Sequence, residues 1–147
     1  MIVWSSRMSV REMLCVITQS RGVRLNVASS SARLAVDPAS VVLDARSTDK
    51  YKMLHIVGAK HLSLPDMTAA ELARIIPAKD TRVLIYCNNN FLNAPEAFPG
   101  KVSAASLNIY TFNTLYSYGY TNVYELGPLI NVTATKLPLE GTGVPNK

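Results

Sequence analysis

The stretch RVLIYC (82–87) constrains this chain more than any other. Val83, Leu84, Ile85 and Tyr86 follow one another without a polar face, after the turn-like AKDT. A strand of this kind is buried on both sides, the situation of a parallel sheet covered by helices. VVLDA (41–45) has the same character. Parallel strands need crossover connections, and the sequence between and after these runs supplies helices. Thr68-Ala-Ala-Glu71 is a capping box, followed by Leu72, Ile75 and Ile76 on one helical face and stopped by Pro77. ASLNIYTFNTLYSYG places Ile109, Phe112, Leu115 and Tyr116 at helical spacing before Gly119, where a C-cap glycine belongs. HIVGAKHLSLP (55–65) reads as a turn at Gly58 and a second strand over AKHLSL, and TNVYEL (121–126) as the last strand, ended by Gly127-Pro128. The expected fold is α/β: a single domain with a central, mainly parallel sheet flanked by helices.

Length and composition agree with one domain. The 147 residues are 48% apolar and 17% charged, enough for a core and too little charge for a disordered chain. The expected division is a leader over 1–23, a domain over 24–135 and a C-terminal tail over 136–147. Within the domain's first part, RLNVA (24–28) reads as a short strand and SSSARLA (29–35) as a capped helical stretch. The formal charge of +5 is concentrated at the start: Arg7, Arg11, Arg21, Arg24 and Arg33 stand against Glu12 and Asp37. A basic, Ser-rich leader fits a solvated extension, an upstream start or an organelle transit peptide. No run approaches a membrane span, so no membrane association is expected, and a reduced, cytoplasmic setting is the default. Cys15 and Cys87 with His55 and His61 make neither a disulfide framework nor a metal site, so no metal or cofactor is expected. Five tyrosines lie between 110 and 124 without interleaved basic residues, which argues against nucleic acid and for packing the last helix on the sheet.

Cys87 carries the chemistry. It closes the central strand, and in open α/β sheets ligands collect outside the carboxyl ends of the strands, where loop amides and helix N-termini converge. A thiolate there accepts backbone N–H bonds and is a nucleophile.

The order VVLDAR, HIVGAKHLSLP, VLIYC and LYSYGYTNVYEL resembles the rhodanese-like sulfurtransferase domain over about residues 24–130. The resemblance implies a small α/β domain in which Asp44, Arg46 and the turn His55 to Ala59 are scaffold elements and Cys87 is the sulfur carrier. It implies a sulfane-sulfur donor and a thiol acceptor as partners, with a persulfide on Cys87 between them.

The loop after the cysteine departs from that family. Members that use thiosulfate carry a basic residue five positions on, where this chain has Leu92, and the related cysteine phosphatases carry an arginine six positions on, where it has Asn93. No arginine follows Arg82. The candidate anion cradle is therefore Asn88, Asn89, Asn90, Phe91, Leu92 and Asn93, with backbone amides and neutral side-chain donors. Such a cradle favours a donor less charged than thiosulfate. Asp44, Arg46 and His55 are supporting residues, with Lys101 a cation near the loop. Two other readings use the same residues: a non-catalytic module in which Phe91 and Phe98 form a protein-binding surface, and a redox-sensing thiol.

Overall fold

A computed structural model describes residues 40–126 and 129–144. The leader, Cys15, RLNVA, SSSARLA and Gly127-Pro128 lie outside the described residues.

Ser40–Asp44 (β1) and Arg82–Tyr86 (β4) form the centre of the sheet, in register from Ser40 opposite Arg82 to Asp44 opposite Tyr86. Lys60–His61 (β3) lies outside β1 and Val123–Glu125 (β6) outside β4, giving the order β3-β1-β4-β6 with every pair parallel. Side chains alternate across this sheet. Leu43, Val83, Ile85 and Val123 face one cluster with Leu72 of Ala69–Ile75 (α2), its C-cap Ile76, and Leu115 of Leu107–Ser117 (α3). Val42 and Tyr86 face the other, with Leu54, Ile56, Phe91, Phe98, Ile130 and Leu137. Both faces are covered, as the continuous apolar runs demand.

Local signals act where they were read. Thr68 caps α2, its Oγ1 accepting from the Glu71 N–H at 3.3 Å. Gly119 ends α3 with φ +86°, a left-handed conformation that a side chain resists. The HIVGAKHLSLP segment divides: His55–Ile56 (β2) leaves the main sheet, and only Lys60–His61 joins it, with Gly58 turning the chain at φ +81°. Thr48–Met53 (α1) precedes this turn.

Of the stretch read as a tail, the described part packs on the domain. Leu139–Glu140 (β8) pairs antiparallel with β2, and the Thr142 and Gly143 amides donate to the Lys52 and Met53 carbonyls at 3.1 and 2.8 Å. Gly141 is required there, because a Cβ would stand 2.4 Å from the Met53 carbonyl oxygen. Among the described residues no helix is long and apolar enough to cross a membrane.

One expectation is corrected in α3. Ile109 and Tyr116 share the solvent face, while Asn108, Thr111 and Leu115 point inward. The apolar period is a poor guide here because the inward face is polar for a reason: Asn108 bonds to the loop after Cys87. The tyrosines divide likewise, Tyr120 being buried while Tyr110, Tyr116 and Tyr118 are exposed.

Candidate active site

The C-terminal ends of β1 and β4 lie side by side and carry two different polar systems. At the end of β1, Arg46 and Asp44 form a bidentate ion pair, with Nε donating to Oδ1 at 3.0 Å and Nη2 to Oδ2 at 2.6 Å. The backbone N–H of Arg46 donates to the same carboxylate at 3.0 Å. Nη1 donates to the Ala97 carbonyl at 3.0 Å and Nη2 also to the Leu54 carbonyl at 2.7 Å, and the guanidinium lies 4.2 Å from the centre of the Phe98 ring. The Tyr86 hydroxyl donates to Asp44 at 2.5 Å. Burial, followed by the Asp44 carboxylate, pushes the Tyr86 phenol far above its ordinary range. Arg46 thus spans the sheet end, the end of α1 and the long loop, and its charge is paired with Asp44.

His55 joins a second brace. Its ring nitrogens stand 2.7 Å from the Tyr51 carbonyl and 3.1 Å from Glu140, and its ring stacks on Tyr51 at 3.7 Å. It fastens β8 to the domain. His61 stacks on the other side of Tyr51, with Nε2 2.9 Å from the Arg46 carbonyl.

Cys87 follows β4 directly, in extended conformation, and starts a 3-10 turn over Asn88–Asn90. The turn makes a reciprocal cap: the Asn90 N–H is shared between the Cys87 carbonyl, at 3.2 Å, and the Cys87 sulfur, and the Cys87 N–H donates to Asn90 Oδ1 at 2.7 Å. The second neighbour of the sulfur comes from far along the chain. Ser106, the N-cap residue of α3, places its Oγ 3.5 Å from Cys87 Sγ. The sulfur therefore stands at the positive end of an eleven-residue helix although a long loop separates the two in sequence. The partners given to the sulfur are neutral, and Cys87 is only 2% exposed.

The loop asparagines are held by the fold. Asn89 exchanges two bonds with the Lys101 backbone, at 2.9 and 2.8 Å, closing the loop on itself. Asn90 donates to the Leu126 carbonyl and accepts from Asn108 at 3.1 Å, and Asn108 donates on to Glu125 at 2.8 Å. Asn93 adopts φ +64° and donates to Asn131 at 2.9 Å. Two amide oxygens, Asn88 Oδ1 and Asn108 Oδ1, are buried without a partner. Each carries a desolvation cost of about 1–3 kcal/mol. Residue patterns along the chain gave no sign of Ser106, Asn108 or Glu125. An uncharged helix start and an inward asparagine in α3 are the only hints the sequence holds.

Phe91 and Phe98 do not form the expected surface. They stack at 4.1 Å and are 5% and 3% exposed, packed beneath the Arg46 guanidinium. The short parallel pair of Phe91–Leu92 (β5) and Ile130–Asn131 (β7) holds this end of the loop. An open cleft of about 440 Å³ lies beside it, lined by Asn88, Asn89, Leu92, Pro95, Lys101 and Leu129 among others; the largely buried Phe91 and Phe98 also belong to its lining, and Cys87 does not. Leu92 and Leu129 are the exposed apolar side chains at this cleft.

Comparison with known proteins places this architecture. The family model described as "Rhodanese-like domain" matches residues 28–127. Among solved structures, the Alr3790 protein from Anabaena sp. aligns with a TM-score of 0.50 at 25% identity, over 71% of this chain and 80% of its own. The BH2092 protein from Bacillus halodurans aligns with a TM-score of 0.52 at 15% identity, over 95% of this chain and 79% of its own. A rhodanese from E. coli aligns with a TM-score of 0.47 at 22% identity, over 69% and 98%. A search of the curated proteins gives no match. With two-thirds of the sequence inside the family model and the parallel sheet in place, the chain belongs to the rhodanese-like domain family.

Proposed function

We propose that this domain carries one sulfur atom at a time on Cys87, taken from a donor less charged than thiosulfate. The observation that carries the reading is the setting of the sulfur: it ends β4, accepts the Asn90 N–H and meets Ser106 at the head of α3, all without a charged partner. The Cys87 thiolate attacks the terminal sulfur of a persulfide R–S–SH. The new S–S bond forms as the old one breaks, and R–S⁻ leaves with the electron pair. A thiolate acceptor then takes the terminal sulfur and returns Cys87 to its thiolate. Neutral donors bind an anion with roughly half the strength of charge-assisted ones, so a dianion gains little here. Arg46 offers no remedy, because it is buried, paired with Asp44 and held by the Leu54 and Ala97 carbonyls.

A second reading, the non-catalytic module, is favoured by one observation. The sulfur is nearly closed off, and the neighbouring cleft is lined by Asn88 and not by Cys87. Alkylation separates the two. Under the sulfur-carrier reading, native protein reacts with iodoacetamide at Cys87 and gains sulfur from a low-molecular-weight persulfide. Protein that reacts only after denaturation, and gains none, is the module.

A further inference from the structure

The hydrogen bonds behind Cys87 end on a charge. The Cys87 N–H donates to Asn90 Oδ1 at 2.7 Å, Asn108 Nδ2 donates to the same oxygen at 3.1 Å, and that nitrogen gives its other hydrogen to Glu125 Oε1 at 2.8 Å. These lengths put the carboxylate within about 9 Å of the Cys87 nitrogen, comparable with the Debye length of physiological salt. Asn108 is 1% exposed, and its amide has one orientation only, because a flip would set its oxygen against two acceptors. Its Oδ1 is left buried without a partner in consequence. A charged acceptor binds an amide about twice as strongly as a neutral one, so Glu125 is the group that fixes this one. Glu125 is half-buried at the end of β6, and among the described residues no cation pairs with it. The nearby cations do not offset it. Arg46 is paired with Asp44, and Lys101 is exposed on the cleft that Cys87 does not line, where water screens its ammonium.

We propose that Glu125 is a specificity-determining residue: its carboxylate, tied to the strand end through Asn108, repels anions that approach Cys87, so the sulfur donor is uncharged around its sulfane sulfur. This rests on the sulfur-carrier reading and names the donor class. The donor is a persulfide taken as neutral R–S–SH, with R uncharged or bearing an amine, in preference to R–S–S⁻ or to a donor with a carboxylate beside the sulfur. Neutral loop amides merely bind a dianion weakly. A fixed negative charge adds a repulsive element that acts against a single negative charge as well.

Paired alkylation of Cys87 tests this without sulfur transfer. Iodoacetamide and iodoacetate are close in size and react by the same displacement of iodide, but one carries a negative charge. Their rates are read by mass at the Cys87 peptide of the reduced full chain, and the ratio cancels the thiolate fraction, which both reagents share. Relative to a small uncharged thiol, the native protein is expected to disfavour iodoacetate by about three- to tenfold. The deficit is expected to shrink as salt is raised from about 0.02 to 0.5 M. It is expected to disappear in Glu125→Gln, which keeps an acceptor for Asn108. Native protein that shows no deficit, or one indifferent to salt, overturns the proposal whether or not the variant folds, as does a deficit that Glu125→Gln preserves. Either result leaves the sulfur carrier standing. Native protein that refuses both reagents overturns the two together.

Discussion

The two strand ends that meet at this site are adjacent in the sheet and opposite in chemistry. At the end of β1 a full positive charge is buried, but every guanidinium contact is made with the protein's own groups, and the system is closed. At the end of β4 the groups bonded to the cysteine are neutral amides and a hydroxyl, the Glu125 carboxylate stands two amides further on, and two of the amide acceptors are left unpaired. The comparison shows where this domain spends the one buried arginine among the described residues. It ties the long loop to the sheet, and the cysteine is left with hydrogen bonds and a helix end.

The largest expected effect falls on the closed system. Arg46→Ala leaves the Asp44 carboxylate buried and unpaired, and a loss of about 3–5 kcal/mol is expected from urea denaturation. Arg46→Lys is expected to recover only part of this, because an ammonium cannot make the bidentate pair and reach two carbonyls at once. A near-neutral Arg46→Ala would break the contrast at its root.

The next effect tests the neutral system. Asn90→Ala removes the acceptor of the Cys87 N–H, the donor to Leu126 and the partner of Asn108, so a loss of about 2–3 kcal/mol is expected, with a changed alkylation rate at Cys87. Stability alone falling, with the alkylation rate unmoved, would mean that the turn does not set the sulfur's surroundings.

Alkaline pH sharpens the contrast from the first side. The folded-state phenol of Tyr86 is raised, so its contribution to stability is present below the unfolded value near 10 and declines as pH rises past it. Above that pH the unfolded chain loses the proton while the folded one keeps it, and stability is expected to fall by about 1.4 kcal/mol per pH unit from this group. Tyr51 is raised by burial, then Glu140 and then Asp44, and acts in the same direction. Urea midpoints measured from pH 9 to 11 check the slope, and Tyr86→Phe is expected to flatten it.

The smallest effect belongs to Ser106→Ala. The hydroxyl makes no capping bond to its own helix, so less than about 1 kcal/mol of stability is at stake. Its contact with Cys87 predicts a change in the alkylation rate out of proportion to that. An unchanged rate would assign the contact to packing.

The parts of this structure written in local pattern were legible in the sequence. VVLDA and RVLIYC could be placed in a doubly covered sheet because their own side chains lack a polar face, and Thr68 and Gly119 mark helix ends by their own chemistry. Cys87 could be placed at a strand end for the same reason. The surroundings of its sulfur could not, since Ser106 and Asn108 arrive from a helix nearly twenty residues on and Glu125 from another strand. The inward asparagine also misled the phase of α3, because periodicity counts apolar residues and cannot see a buried amide that has partners. Phe91 and Phe98 were misplaced by the reverse error. In a loop they suggest a surface, yet the Arg46 guanidinium and the sheet give them an interior.

The most direct test is the intact mass of the reduced full chain after incubation with a low-molecular-weight persulfide, beside Cys87→Ser. The account predicts the gain of a single sulfur atom by the native protein, its loss on addition of a thiol, and no gain by the variant at that position. No sulfur gained from any sulfane donor, or an equal gain by Cys87→Ser, would contradict it.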